Sequence, residues 1–268
     1  LTAMALIFAD SVYIFRLASG DVSVRFLLNI SPMTIAHRGY STIAPENTEY
    51  AFIAAMQQGA DGIELDVQQT SDGIPVVIHD ISLKRIAGID RKVSSYTYAE
   101  LSQIDVGSWY NPQFSDARIM TLEEVIRLTD GKVFLNIELK RGAIVNHIEQ
   151  KVAALIEQYG IKSQCCVTSF SYESLKRIKK CDEDIKTGLI MSIATGNFYN
   201  LDYVDAFSIK SMFISSQVVN NAHQVGKEVY AWTVNNTNEM HRMLGLNVDH
   251  IITDRPALLM EQIDKNIS

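Results

Sequence analysis

Four short stretches carry side chains suited to phosphoryl chemistry: His37-Arg38-Gly39, Pro45-Glu46-Asn47, Glu64-Leu65-Asp66 and His79-Asp80. Between them they supply two imidazoles, several carboxylates, a guanidinium and a carboxamide. Carboxylate oxygens are the ligands that hard divalent cations prefer. Imidazoles exchange protons near neutral pH, and a guanidinium fork matches the oxygens of a phosphate. Such a set is suited to holding a divalent cation and hydrolysing a phosphodiester.

The spacing adds a geometric argument. Residues 62–69 (GIELDVQQ) read as a strand, with Ile63, Leu65 and Val67 on one face. Glu64 and Asp66 then share the opposite face, because strand side chains repeat every two residues. Thr70-Ser71-Asp72-Gly73 is a turn signal, and Pro75-Val76-Val77-Ile78 returns as a second strand. A hairpin folded at Asp72-Gly73 brings His79 back beside Asp66. Taken singly, each piece has a plain explanation. A Glu-x-Asp on a strand is usually a solvated face, and a His-Asp pair is usually a surface contact or a cap. Their conjunction in this order is what points to a site, because charges gathered in one place must be paired or bind metal.

The elements that must position these residues alternate strand with helix. Core strands are predicted to start near 34, 62, 133, 165, 186, 205, 228 and 249, setting aside the return arm of the hairpin. A helix over 48–58 is capped by Asn47 and stopped by Gly59. Thr121 and Glu124 form a capping box opening a helix to about 129. Ile144, Ile148, Val152, Leu155 and Ile156 give a helix over 143–158. Pro256 opens the last helix. Residues 81–120 read as mostly irregular, with a small helical piece near 97–103. Eight strands alternating with helices predict an α/β fold, a (β/α)8 TIM-type barrel with a hairpin after strand 2. In that fold chemistry sits at the carboxyl ends of the strands. His37, Glu64, Asp66, Glu138, Lys140 and Trp232 all fall late in a strand or just beyond one.

The whole chain sets outer limits. Its 268 residues suit one large domain or two small ones, the net charge is -7, and no Lys/Arg-rich run marks a nucleic-acid partner. Cys165, Cys166 and Cys181 lack metal-type spacing and read as reduced thiols that do not fix a compartment. Residues 1–30 read as a separate N-terminal segment, and 31–268 as the catalytic domain. Residues 1–15 contain one charge, Asp10, and are too short for a membrane span. They read as the end of a membrane helix or as an amphipathic helix, with the membrane-associated location favoured over a cytoplasmic one. The number of subunits is not readable.

The sequence resembles the glycerophosphodiester phosphodiesterase family. The matching blocks are AHRGYSTIAPENTEYAF (36–52), GIELDVQQTSDGIPVVIHD (62–80), LKR (83–85), TLEEV (121–125), NIELK (136–140), TSF (168–170), YAWTVN (230–235) and IITDRP (251–256). They run in family order, and the first 30 residues lie outside them. The resemblance implies the phospholipase C-like phosphodiesterase barrel. It implies a divalent ion, Ca2+ or Mg2+, on Glu64, Asp66 and Glu138, and a catalytic pair, His37 and His79. Arg38 matches a position that meets the phosphate, and Lys140 is expected to add a second positive charge near it. Trp232 is expected to line the glycerol pocket. Glu46 is given a supporting role, Asn47 either that or the helix cap, and Asp80 is expected to orient a neighbour. Glu138 alone also reads as a strand-end carboxylate paired with Lys140, and Trp232 alone as a core residue.

The expected reaction is metal-dependent hydrolysis of a small glycerophosphodiester to glycerol 3-phosphate and an alcohol. A lysophospholipase D or another lipid-head-group diesterase is a second enzyme reading. A catalytically silent binding barrel is a third, disfavoured because every ligand and both histidines are present. His147, His223, His241 and His250 carry no ligand spacing.

Overall fold

In the computed structural model, residues 31–140 and 147–267 are described. The segment 1–30 lies outside them, as do the predicted helical residues 143–146. Nine strands are described: β1 (Met33–His37), β2 (Gly62–Gln69), β3 (Pro75–Val77), β4 (Phe134–Leu139), β5 (Cys165–Ser169), β6 (Thr187–Met191), β7 (Ala206–Lys210), β8 (Glu228–Trp232) and β9 (His250–Thr253). β1 pairs in parallel with both β2 and β9, which closes the eight parallel strands into a barrel. The predicted α/β barrel is therefore present. β3 is the appended antiparallel arm of the hairpin.

Alternation along the strands divides two environments. Ile63, Leu65 and Val67 face outward into a core shared with the helix Glu49–Gln58 and the helix Leu122–Thr129. Ile35, Cys166, Ala206, Tyr230 and Ile252 fill the barrel interior below the site. Tyr230 and His250 stack there with centroids 4.0 Å apart, which accounts for His250 as an interior packing residue. The other buried face is the helix layer on the opposite strands, built on Phe207, Val229, Met240 and Leu259. Apolar burial of this extent is the main driving force for closing the barrel. Among the described residues no helix joins β6 to β7.

Three local readings need correction. The hairpin pairs Val67 with Val77 and Gln69 with Pro75, and Thr70 N–H meets the Ile74 carbonyl, so it turns on the three residues Ser71-Asp72-Gly73. Gly73 takes the left-handed conformation (φ +82) that a three-residue loop of this kind uses. The register is one residue off the predicted one: Ile78 N–H, not His79, meets the Asp66 carbonyl at 2.8 Å. Asn47 is not the helix cap. Thr48 occupies that position, and Asn47 turns its side chain to Asp66. The helix predicted over 143–158 is described as Ile148–Gln158, with His147 before it in the left-handed region (φ +71).

Residues 81–120 form a small cover with its own core, in which Leu83, Val93, Tyr96, Leu101 and Val106 pack on Val76 and Ile78. The cover therefore braces the hairpin that carries His79. Arg38 (φ +57) and Gly39 (φ +79) make the sharp turn after β1. A Cβ on Gly39 would lie 2.6 Å from the backbone carbon of Ala51. Gly39→Ala thus combines left-handed strain with overpacking, and a loss of about 2–5 kcal/mol is expected. Denaturant unfolding of the purified variant measures it; an unchanged midpoint would contradict the close approach described.

Candidate active site

The parallel register gathers the acidic groups. β1 sets His37 beside Glu64 on β2, and β2 sets Asp66 beside Glu138 on β4. One carboxylate oxygen from each of Glu64, Asp66 and Glu138 lies within 4.8 Å of the others. Glu64 and Asp66 are buried. Arg38 closes the arrangement from above. Its left-handed backbone turns its N–H onto Glu64 Oε2 at 3.0 Å, while its Nε lies 3.3 Å from Asp66 Oδ2. Lys140 reaches in from the end of β4, with Nζ 3.2 Å from Asp66 and 2.9 Å from Glu138. Asn47 donates to Asp66 Oδ2 at 2.9 Å and accepts from its N–H. The asparagine, also left-handed (φ +56), is thus a brace on Asp66.

Two cations do not neutralise three crowded carboxylates. Burial, with the negative charge of Asp66 beside it, pushes the Glu64 carboxyl up to about 8. Glu138 is raised for the same two reasons. Asp66 goes the other way: burial opposes its charge, but Lys140 and Arg38 outweigh it and hold the carboxyl low. Glu64 Oε1 is buried with no hydrogen-bond partner among the described residues. A buried acceptor without a donor is costly. An all-oxygen donor set with a spare buried lone pair and excess negative charge fits a hard divalent cation. Ca2+ and Mg2+ both meet that description.

Two imidazoles flank the acids, each tied to a carboxylate through Nδ1. His79 meets Asp80 Oδ1 at 2.7 Å, and Asp80 is held in turn by Arg85 Nε at 2.6 Å. His37 meets Asp254 Oδ1 at 2.6 Å, with Nε2 3.8 Å from Glu64 Oε2. Burial opposes the charged form of both rings. For His37 the Asp254 hydrogen bond and the Glu64 charge prevail, and its pKa is raised. For His79 burial prevails over the Asp66 charge, and its pKa is lowered. Neither Asp254 nor Arg85 was singled out from the sequence, although both lie in blocks quoted above. Asp254 is 217 residues from His37 along the chain, and only the β1–β9 closure brings them together.

Glu46 lies between two guanidinium groups: Arg38 donates to it at 2.9 Å and Arg85 at 3.0 and 2.7 Å. The site opens into a cavity of about 170 Å³ bounded by His37, Glu64, His79 and Lys140 on one side and Phe170 and Trp232 on the other. Trp232 donates its indole N–H to the Ser208 carbonyl at 2.8 Å, and its ring meets Phe170 edge-on at 6.0 Å. Trp232 is thus held in place, and Phe170 beside it makes this part of the lining aromatic. Among the described residues the other histidines stay apart: His223 pairs with Asp249 and His241 with Gln262. Cys165 and Cys166 are buried free thiols, and Cys181 is exposed.

A TIM-type barrel with an acidic cluster and paired imidazoles at the carboxyl rim defines a class, the barrel phosphodiesterases. Residues 37–258 match the Glycerophosphoryl diester phosphodiesterase family, and the chain belongs to it. It is 37% identical over 238 residues to a glycerophosphodiester phosphodiesterase of Caldanaerobacter subterraneus subsp. tengcongensis, covering 87% of this chain and 98% of that one. A glycerophosphodiester phosphodiesterase of Bacillus altitudinis is 36% identical over 230 residues, 82% of this chain and 94% of that one. Among solved structures, an Oleispira antarctica phosphodiesterase in complex with the product sn-glycerol-3-phosphate superposes with a TM-score of 0.78. It is 30% identical, with 88% of this chain and 98% of that chain covered. The chain is thus an enzyme, a phosphoric diester hydrolase of this family.

The Glu46 pairing generates a pH-dependent prediction. Burial works against its charged form, but the Arg85 hydrogen bond and the Arg38 charge outweigh it, so the folded pKa lies below the ordinary 4.5. A depressed carboxylate stabilises the fold above its unfolded value, and that contribution is lost as pH falls through the folded one. Glu46→Gln is expected to cost about 1–3 kcal/mol at pH 7. The gap from the unaltered protein should close as pH falls below 4.5. Urea titrations across that range measure it, and a gap independent of pH would contradict the assignment.

Proposed function

We propose that the chain hydrolyses glycerophosphodiesters to sn-glycerol 3-phosphate and an alcohol, with a divalent cation, Ca2+ or Mg2+, held by Glu64, Asp66 and Glu138. The observation that carries the reading is the meeting of these three carboxylates within 4.8 Å at the barrel rim, beside two carboxylate-paired imidazoles. The product named in the Oleispira antarctica complex supports the choice of substrate class.

Arg38 and Lys140 offer positive charge to the phosphate oxygens at the mouth of the cavity. The aromatic wall of Phe170 and Trp232 receives the carbon skeleton of the glycerol. The P–O bond to the alcohol breaks and a new P–O bond forms to the attacking oxygen. One of His37 and His79 takes the proton of that attacking oxygen, and the other returns a proton to the departing alkoxide. Asp80, itself held by Arg85, orients His79. Glu46 and Asn47 support Arg38 and Asp66 from behind. When bound, the cation stabilises negative charge as it builds on the phosphate.

A second substrate reading, a lysophospholipid head group, is favoured by the exposed apolar side chains Phe170, Ile193 and Met212 on the loops after β5, β6 and β7. Among the described residues no helix is long and apolar enough to cross a membrane.

Product analysis with glycerophosphocholine and lysophosphatidylcholine, each with Ca2+ or Mg2+, separates the two. Choline and sn-glycerol 3-phosphate are expected from the first; choline released only from the lysolipid would overturn the first reading. His79→Ala is expected to lower kcat by about 10²–10⁴-fold. Undiminished turnover in that variant would remove the two-histidine mechanism.

A further inference from the structure

The ring of His37 sits at the end of a chain of hydrogen bonds whose direction is fixed by the backbone. Thr253 Oγ1 accepts from the Arg255 N–H at 3.0 Å, so its own proton is free to donate to Asn235 Oδ1 at 3.1 Å. The Asp254 N–H donates to the same Asn235 oxygen at 2.9 Å. Two donors therefore converge on one atom of the Asn235 amide, which must be its oxygen. The amide nitrogen is left facing Asp254 and donates to Oδ2 at 2.5 Å. The other carboxylate oxygen, Oδ1, receives His37 Nδ1 at 2.6 Å and the Ser41 hydroxyl at 3.3 Å. The Thr42 hydroxyl donates to the Asp254 carbonyl at 3.0 Å and pins the residue from its other side.

We infer that Asp254 and Asn235 together are positioning residues that fix His37 in the tautomer with the proton on Nδ1, so that Nε2 alone exchanges protons with the substrate. An ionised carboxylate only accepts hydrogen bonds, so a neutral imidazole can meet it only through N–H. The lone pair of His37 then lies on Nε2, the nitrogen 3.8 Å from Glu64 Oε2. Asn235 makes the arrangement selective. Its N–H, locked toward Asp254, accepts no donor there. A carboxamide in place of the Asp254 carboxylate must turn its oxygen to Asn235 and its nitrogen to His37. That would force His37 Nδ1 to accept and would move the ring proton to Nε2. The catalytic part of this inference rests on the proposal that His37 moves a proton; the tautomer itself does not.

Three forms of the full chain test it: the unaltered protein, Asp254→Asn, and the exchange Asp254→Asn with Asn235→Asp. The exchange puts an acceptor where the Asn235 amide nitrogen stood. The carboxamide introduced by Asp254→Asn can then donate to that acceptor and keep its oxygen for His37. Long-range ¹H–¹⁵N spectra of the His37 ring report the tautomer, and steady-state rates on glycerophosphocholine report turnover. The neutral ring should carry its proton on Nδ1 in the unaltered protein and in the exchange, and on Nε2 in Asp254→Asn. Turnover in Asp254→Asn should fall about 10²–10⁴-fold in kcat with KM changed little, and the exchange should recover it to within about tenfold of the unaltered rate. An Nδ1 proton retained in Asp254→Asn, or an exchange that keeps neither the tautomer nor the rate, would overturn the inference. Should the single variant not fold, the exchange alone decides by the same two readouts. His37→Gln with undiminished turnover would instead remove the catalytic reading of His37 and leave the tautomer result standing.

Discussion

Mutual repulsion among Glu64, Asp66 and Glu138 is the constraint around which the rim is built. Three carboxylates within 4.8 Å of one another, two of them buried, are unfavourable in any fold that does not compensate them. Arg38 and Lys140 supply part of the compensation, and each does so at a cost. Arg38 holds a left-handed backbone, and Lys140 bends back over the residue two places before it. What remains uncompensated is visible in the raised Glu64 carboxyl and in its unpaired Oε1. Such unresolved charge at a concave rim is where a ligand of opposite sign is expected.

The imidazoles answer the same charge from opposite sides. His79 rides on a hairpin braced by the small core of residues 81–120, and its Asp80 partner is shared with Arg85. His37 rides on β1, and its Asp254 partner is held by neutral donors, Asn235 and Ser41. The two pairs therefore look alike in distance and differ in charge. Burial opposes the charged form of both rings; it prevails at His79, while at His37 the Asp254 hydrogen bond and the Glu64 charge outweigh it, so the two imidazoles shift in opposite directions.

Much of the architecture was legible because its signals are local. The 62–69 strand, the Thr121–Glu124 capping box and the Gly59 stop each rest on a few adjacent residues, and each is present. The meeting of Glu64 with Asp66 follows from strand periodicity alone. Their meeting with Glu138 came only through a family resemblance, because the β2–β4 register is a long-range property. Asp254, Arg85 and the Asn47–Asp66 contact were not read as they stand. Each depends on side chains brought together by barrel closure or by the cover, and a short sequence window carries no trace of that. The hairpin register was missed by one residue because Asp72-Gly73 looks the same in a two-residue turn and in the three-residue loop observed.

The chemistry of the rim depends on whether the three carboxylates form one cation site. Calorimetric titration of the purified chain with Ca2+ and with Mg2+, repeated on Glu64→Gln and Glu138→Gln, measures this directly. One ion per chain is expected for the unaltered protein, with affinity reduced about 100-fold or more in either variant. No binding to the unaltered chain, or equal affinity in all three proteins, would contradict it.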